Sequence, residues 1–198
     1  MTMHHTEGLA FRAAQPDDAD HLANFAVLAS KGLSEITWED LREGDETALD
    51  VGRRRARQTT GGFSYRNADV AVRSGAVISA IISYAIEQSG PVDTSGVPEI
   101  FHPLIELEEQ AAPSWYVNIL ATYPNARGLG AASALMAGVE TRAKKQGHSR
   151  MSIIVDAVNP AMKLYEHLGY AEVSRAAFAQ PGPDDPEGFW VLMIKKLR

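Results

Sequence analysis

The stretch "YPNARGLGAASALMAGVE", residues 123–140, restricts the fold of this chain more than any other segment. Leu135, Met136, Val139 and Ala143 recur at helical spacing, and Gly147 follows the Lys144-Lys145 pair as a C-terminal stop, so the pattern predicts a helix from about Leu129. Helix N-termini favour Ser, Thr, Asp or Asn caps and acids in the first turn, because the first N–H groups have no intrahelical acceptor. Here the chain offers Arg127, Gly128, Leu129, Gly130, Ala131, Ala132 and Ser133, and no acid occurs from Ala126 through Val139. A strand, a turn at Pro124, two glycines and an unblocked helix start form an anion site suited to a phosphate. Glycine at 128 and 130 lets backbone approach an oxygen closely. The competing reading is an ordinary glycine-containing loop whose N–H groups bond water.

Other phosphate loops fit less well. A nucleoside triphosphate loop needs Gly-Lys-Ser/Thr after four spacers, and no lysine follows these glycines until Lys144. A dinucleotide fingerprint needs three small positions directly after a strand; Gly128, Gly130 and Ser133 match poorly, and "YPNA" intervenes. Asp156, at the end of the next strand, is the feature that keeps a dinucleotide-dependent oxidoreductase as an alternative.

Composition narrows the partners. With 198 residues, 45% of them hydrophobic, the chain has material for one core, and a single domain over 1–198 is expected. It has no cysteine, which removes disulfides, thiolate nucleophiles and cysteine-bound metal centres. A net charge of −6 disfavours electrostatic wrapping of nucleic acid. No segment approaches the roughly 20 apolar residues of a membrane span, and "MTMHHTEG" lacks a secretory pattern, so a cytoplasmic protein with no membrane association is expected. The histidines show no metal-binding spacing: His4 and His5 are terminal, and His21, His102, His148 and His167 are scattered.

The predicted order is strand 9–14, helix 16–30, helix 37–43 stopping at Gly44, helix 45–58, two strands in a hairpin around Ser74-Gly75, strand 115–122, the helix after Leu129, strand 150–157, helix 159–170 and two closing strands around a Pro-rich turn. Arg53, Arg54, Arg55 and Arg57 close a helix opened by Asp45, Glu46 and Asp50; that distribution complements the helix dipole, and a solvated face is preferred to a ligand site. Residues 88–114 read as a long acidic insert, carrying Asp93, Glu99, Glu106, Glu108 and Glu109 without Lys or Arg. Such connections are usually functional or mobile. Its Leu104, Ile105 and Leu107 are candidates for an anchor on the sheet or for a homodimer interface, and a solvated surface loop is the alternative for the whole insert.

The pattern around the bare helix resembles the GNAT superfamily of N-acetyltransferases. The signature Gln/Arg-x-x-Gly-x-Gly/Ala is matched by Arg127, Gly130 and Ala132 after "ILATYP", and "NPAMKLYEHLGY" (159–170) is similar to the family's second motif. The resemblance covers about 114 to 170. It implies an α/β (α+β) fold with a twisted, mixed, mostly antiparallel sheet and helices on both faces. It also implies acetyl-CoA as co-substrate, its pyrophosphate on the N–H groups of 128–133 beside Arg127 and its pantetheine arm along the backbone of Leu120, Ala121 and Thr122. The acceptor would be a primary amine of a small molecule, peptide or protein.

Two residues carry double readings. Asn159 before Pro160 suits an N-cap, and in the family an Asn here contacts the pantetheine arm. Tyr165 shares a helical face with Ala161, Leu164 and Leu168, as a core aromatic would; the family's tyrosine points at the cofactor sulfur, where a phenol can protonate a departing thiolate. The family's usual glutamate on the fourth strand is missing, since "WYVNILAT" offers Tyr116 and Asn118. Glu106, Glu108 or Glu109, or a water held by Asn118, are the candidates for the base. The absence of that glutamate also supports a second class, a non-catalytic acetyl-CoA-binding module that senses the cofactor or a partner protein.

Overall fold

The computed structural model describes residues 8–87, 92–179 and 188–198. The Pro-rich turn expected before the last strand, the terminal His4-His5 pair and the first residues of the insert lie outside them. Among the described residues seven strands form one mixed sheet, in the order β1-β2-β3-β4-β5-β7-β6: β1 Leu9–Ala13, β2 Ala68–Arg73, β3 Ala76–Ile86, β4 Ser114–Thr122, β5 Arg150–Asp156, β6 Ala171–Ala177 and β7 Phe189–Lys196. Among the described residues the α-helices are α1 Ala19–Ala29, α2 Leu33–Glu39, α3 Ala48–Ala56, α4 His102–Ala111, α5 Ala131–Lys145 and α6 Met162–His167. Among the described residues no helix is long and apolar enough to cross a membrane, and no group of side chains has a metal-ligand arrangement. The chain divides into two compact units, residues 1–84 with 118–139, and 85–117 with 140–198.

In the first unit β1 and β2 pair antiparallel from Leu9↔Arg73 to Ala13↔Asp69, and β2 continues into β3 through Ser74 and Gly75. Both turn residues have positive φ, 50° and 81°, the backbone twist that a two-residue hairpin turn requires. Leu22, Ala23, Phe25 and Ala26 of α1 are fully buried, with Val51 and Ala56 of α3, Val70 of β2, and Ala80 and Ile82 of β3. The segment opening α1 is held by Asp18, whose carboxylate accepts from the Gln15 N–H at 2.7 Å and from both terminal nitrogens of Arg12 at 2.6 and 2.9 Å. Helix α3 opens with a reciprocal cap, Thr47 Oγ1 accepting the Asp50 N–H while Asp50 accepts the Thr47 N–H.

Helix α2 begins four residues before the predicted 37–43 and ends at Glu39, because Gly32 takes a left-handed conformation and starts the helix early. Trp38 packs against Gly52 of α3: a Cβ there would lie 2.5 to 2.8 Å from three atoms of the indole. Phe63 packs against the same indole in a tilted contact with centroids 5.5 Å apart, so the ring has little room to yield. Gly52→Ala is therefore expected to destabilise the fold by about 1–3 kcal/mol, the usual cost of overpacking, measured as a lower denaturant midpoint at unchanged m-value.

In the second unit β5 pairs antiparallel with β7 from Arg150↔Lys196 to Asp156↔Trp190, and the first half of β4 pairs parallel with β5 from Trp115↔Met151 to Val117↔Ile153. The segment read as a long insert is substantially helical. Pro103 sits in the first turn of α4, and Leu107 and Ala111 are fully buried against Leu192 of β7, with Ile154, Ala176, Trp190 and Ile194 around them. Leu107 thus anchors the segment on its own sheet, and the surface-loop reading does not hold for 102–111.

Candidate active site

In the first unit, β4 runs out at Thr122 and the chain turns through Tyr123 and Pro124. The Tyr123 N–H donates to Ile78 O at 3.0 Å, and the Ser79 hydroxyl donates to Ala121 O at 2.8 Å, so β3 fixes the end of β4. Tyr123 is fixed a second time by α1: its hydroxyl lies 2.9 Å from His21 Nδ1, and its ring packs on Phe25 in a tilted contact with centroids 4.4 Å apart. Burial, with Asp20 nearby, pushes the Tyr123 phenol up from its ordinary range, so it stays protonated as a donor or acceptor toward His21. Sequence reasoning did not find this clamp, because nothing local links residues 21 and 123.

The bare helix start is present. Helix α5 begins at Ala131, two residues later than expected, since Gly128 and Gly130 both have φ of +79° and cannot belong to it. Among the described residues, the first N–H from 128 onward with a backbone acceptor is that of Ala134, on Gly130 O at 3.0 Å. The N–H groups of Gly128, Leu129, Gly130, Ala131, Ala132 and Ser133 are left for an external acceptor. A Cβ at Gly128 would meet nothing within 4 Å, so this loop is open on that side. Arg127 is exposed beside it, and the first turn of α5 has no acid. At the other end Arg142, Lys144 and Lys145 complement the dipole, and Gly147 and His148 donate to Lys144 O and Ala143 O. These features fit a pyrophosphate, as several N–H dipoles, a positive side chain and no competing carboxylate require. Leu120, Ala121, Thr122 and Asn118 are half-buried on the same stretch of β4.

In the second unit, α4 carries three candidate bases to different surroundings. Glu106 and Glu109 are exposed, and Glu109 Oε1 accepts the Val92 N–H at 2.6 Å. Glu108 turns inward. It is half-buried, and the Tyr116 hydroxyl of β4 donates to its carboxylate. Burial raises the Glu108 carboxyl above its ordinary range, and the Tyr116 hydrogen bond offsets part of that rise by stabilising the charged form. One helical position thus separates a solvated acid from a desolvated, hydrogen-bonded one with the character of a general base.

Tyr165 of α6 is 3% exposed, and its ring meets Tyr170 edge to face at 6.2 Å. Burial alone pushes its phenol well above the usual range. Asn159 does not cap α6 as the Asn-Pro pattern predicts. The helix starts at Met162; the Asn159 side chain instead accepts the Ala161 N–H at 2.9 Å, and its carbonyl accepts the Met162 N–H at 3.0 Å. Pro160 and Ala161 are spent in that turn, which fixes the approach to α6 from Asp156, whose carbonyl accepts the Asn159 N–H.

Residues 101–182 match the family model of the acetyltransferase (GNAT) domain. No curated protein matches the chain. Among solved structures, the Drosophila melanogaster polyamine N-acetyltransferase aligns over 96% of this chain and all of its own, at TM-score 0.69 and 15% identity. A mosquito arylalkylamine N-acetyltransferase, like 5b, aligns over the same shares at 0.67 and 21%. The ribosomal-protein-S18-alanine N-acetyltransferase of Escherichia coli aligns over 96% of this chain and 94% of its own, at 0.58 and 14%. The strand order is that of a GNAT-like fold, and residues 101–182, with the Arg127-Gly130-Ala132 signature at an uncapped helix, are similar to the acetyltransferase (GNAT) domain.

Proposed function

We propose that the chain, as one acetyltransferase domain in the cytoplasm, moves the acetyl group of acetyl-CoA to a primary amine of a small molecule or peptide. The observation that carries this reading is the run of unpaired N–H groups from Gly128 to Ser133 at an acid-free helix start. That cradle and Arg127 would hold the pyrophosphate, and the backbone of Leu120, Ala121 and Thr122 the pantetheine arm, with Asn159 as a further contact. Acetyl-CoA supplies an activated thioester; the protein's part is to place the amine and handle two protons. Glu108, oriented by Tyr116, takes a proton from the amine, with Asn118 as the group that positions a water or the amine on β4. Tyr165 returns a proton to the leaving sulfur.

Calorimetry with acetyl-CoA and thiol release across an amine panel test this together. At about 100 times its dissociation constant, acetyl-CoA is expected to stabilise the fold by about 2.7 kcal/mol, read as a raised melting temperature. Arg127→Glu is expected to weaken that binding by setting a carboxylate beside the pyrophosphate; unchanged affinity would remove the cradle from the site. Binding without thiol release for any amine would favour the non-catalytic module, and preference for a dinucleotide would overturn both readings.

A further inference from the structure

Tyr123 stands between the end of β4 and the cradle at 128–133, and the first unit ties it at three points. Its N–H donates to Ile78 O of β3 at 3.0 Å, its carbonyl accepts the Ala126 N–H at 2.9 Å and so closes the turn Pro124–Ala126, and its hydroxyl lies 2.9 Å from His21 Nδ1. Ala126 at the end of that turn is buried, and Arg127 alone separates it from Gly128, where the cradle begins. His21 and Phe25, one turn apart on α1, bracket the Tyr123 ring: the imidazole meets it edge-on at 5.9 Å and the phenyl at a tilt at 4.4 Å. The α1 side of this clamp is itself anchored, because Leu22, Phe25 and Ala26 are fully buried and Asp20 pairs with Arg53 of α3.

Packing alone would be satisfied by a phenyl ring at 123 and an apolar side chain at 21. The hydrogen bond adds direction, holding the ring at one distance and one rotation at the point where the chain leaves for the cradle. Several N–H groups can act on one pyrophosphate only if the loop that bears them is already in one geometry, since ordering it on binding subtracts from affinity. The far end of the cradle is fixed by α5, whose Leu135 and Met136 are buried. The near end consists of an exposed Arg127 and Gly128 at φ +79°, and it takes its position from Tyr123. We propose that His21 and Tyr123 are positioning residues for the cofactor site: the hydrogen bond between them sets the near end of the cradle, and through it α1 governs the affinity for the pyrophosphate. The inference rests on the acyl-transfer reading above for the molecule that carries this pyrophosphate. Neither side chain takes part in the reaction, so the loss of either belongs in cofactor affinity and not in turnover at saturation.

Calorimetry with three probes tests the assignment: acetyl-CoA; ADP, which carries a pyrophosphate without the pantetheine arm; and S-acetylpantetheine, which carries the arm without the pyrophosphate. Tyr123→Phe and His21→Ala are each expected to weaken acetyl-CoA and ADP by about 10-fold, as when the binding-competent loop falls to about one molecule in ten, and to leave S-acetylpantetheine near wild type. The double variant is expected to lose no more than either single one, because the pair acts as a unit. His21→Asn, which keeps a hydrogen-bonding group near the Nδ1 position, is expected to recover most of the affinity. In thiol-release assays KM for acetyl-CoA should rise by the same factor, with kcat and the acceptor's KM near wild type. If His21→Ala fails to fold, Tyr123→Phe carries the test, since it keeps the ring and its contact with Phe25. Wild-type affinity for acetyl-CoA and ADP in Tyr123→Phe would overturn the proposal and leave acetyl transfer standing. Equal weakening of S-acetylpantetheine, or a fall in kcat at saturating acetyl-CoA, would overturn it too, by making the pair a general support of the fold; where S-acetylpantetheine binds the wild type too weakly to measure, the split between KM and kcat decides. Absence of acetyl-CoA binding by the wild type would instead strike the acyl-transfer reading. Inorganic pyrophosphate then decides the clamp: binding that Tyr123→Phe weakens by about 10-fold upholds it, and unchanged binding or none overturns it.

Discussion

Glu108→Gln is expected to lower turnover by about 10²-fold to 10⁴-fold, the range for loss of a positioned general base. Gln keeps the size of the side chain and an oxygen for the Tyr116 hydroxyl, so the loss reads proton transfer rather than packing. In the wild type, the acid limb of the pH–rate profile should lie above the ordinary carboxylate range, because burial raises the Glu108 carboxyl. The variant should lack that limb. Stability should move the other way. The folded protein holds the Glu108 proton more tightly than the unfolded chain does, so between the ordinary carboxylate range and the raised value the native state binds more protons, and this group's contribution to stability falls as pH rises through that window. Above it, a buried charge is carried at a cost that Gln removes. Glu108→Gln is thus expected to raise the melting temperature at neutral pH and to leave it nearly unchanged near pH 3. A variant equally active at all pH values would return the base to a water or to another carboxylate. One both inactive and destabilised at neutral pH would make Glu108 a structural partner of Tyr116.

The elements legible in the sequence are those whose causes are local. Ser74-Gly75 between two β-rich runs predicts a hairpin, and both residues take the positive φ that such a turn demands. The glycines and missing acids at 126–139 predict a bare helix start, and the N–H groups there have no backbone acceptor among the described residues. What escaped depends on partners distant in the chain. The strip of α4 centred on Leu107 and Ala111 is written in "HPLIELEEQA", but its burial needs Leu192, Trp190 and Ile194 of β7, so the acidic, proline-rich surroundings dominate a local reading. Burial of Glu108 follows from the same docking, and without it three glutamates in a row of four look equivalent. Asn159-Pro160 has the chemistry of a helix cap, yet it closes a preceding turn that delays α6 to Met162.

Tyr165→Phe separates two roles that share one ring. As the group that protonates the leaving sulfur, Tyr165 should lose about 10²-fold to 10⁴-fold in turnover as Phe, with KM for acetyl-CoA nearly unchanged. As a core aromatic it should lose almost nothing, since Phe keeps the edge-to-face contact with Tyr170 and the fit of a residue only 3% exposed. Burial bears on this choice in two ways. By raising the phenol's pKa it keeps the O–H protonated throughout the working pH range, as a donor must be. It also makes the phenol a weaker acid than an ordinary tyrosine, so full transfer to a thiolate, whose thiol has a pKa of about 8.5, is uphill on the chemical difference alone. Donation is therefore expected to be paced by the developing charge on sulfur: strongest in the transition state, weak toward the intact thioester, and for that reason seen in kcat and not in KM. The measurement is a pair of kinetic constants for each variant at several pH values, with the melting temperature as the control for packing. A fall in kcat alone, at an unchanged melting temperature, assigns Tyr165 to the reaction. Unchanged kcat assigns it to the core and leaves the thiolate to be protonated by water.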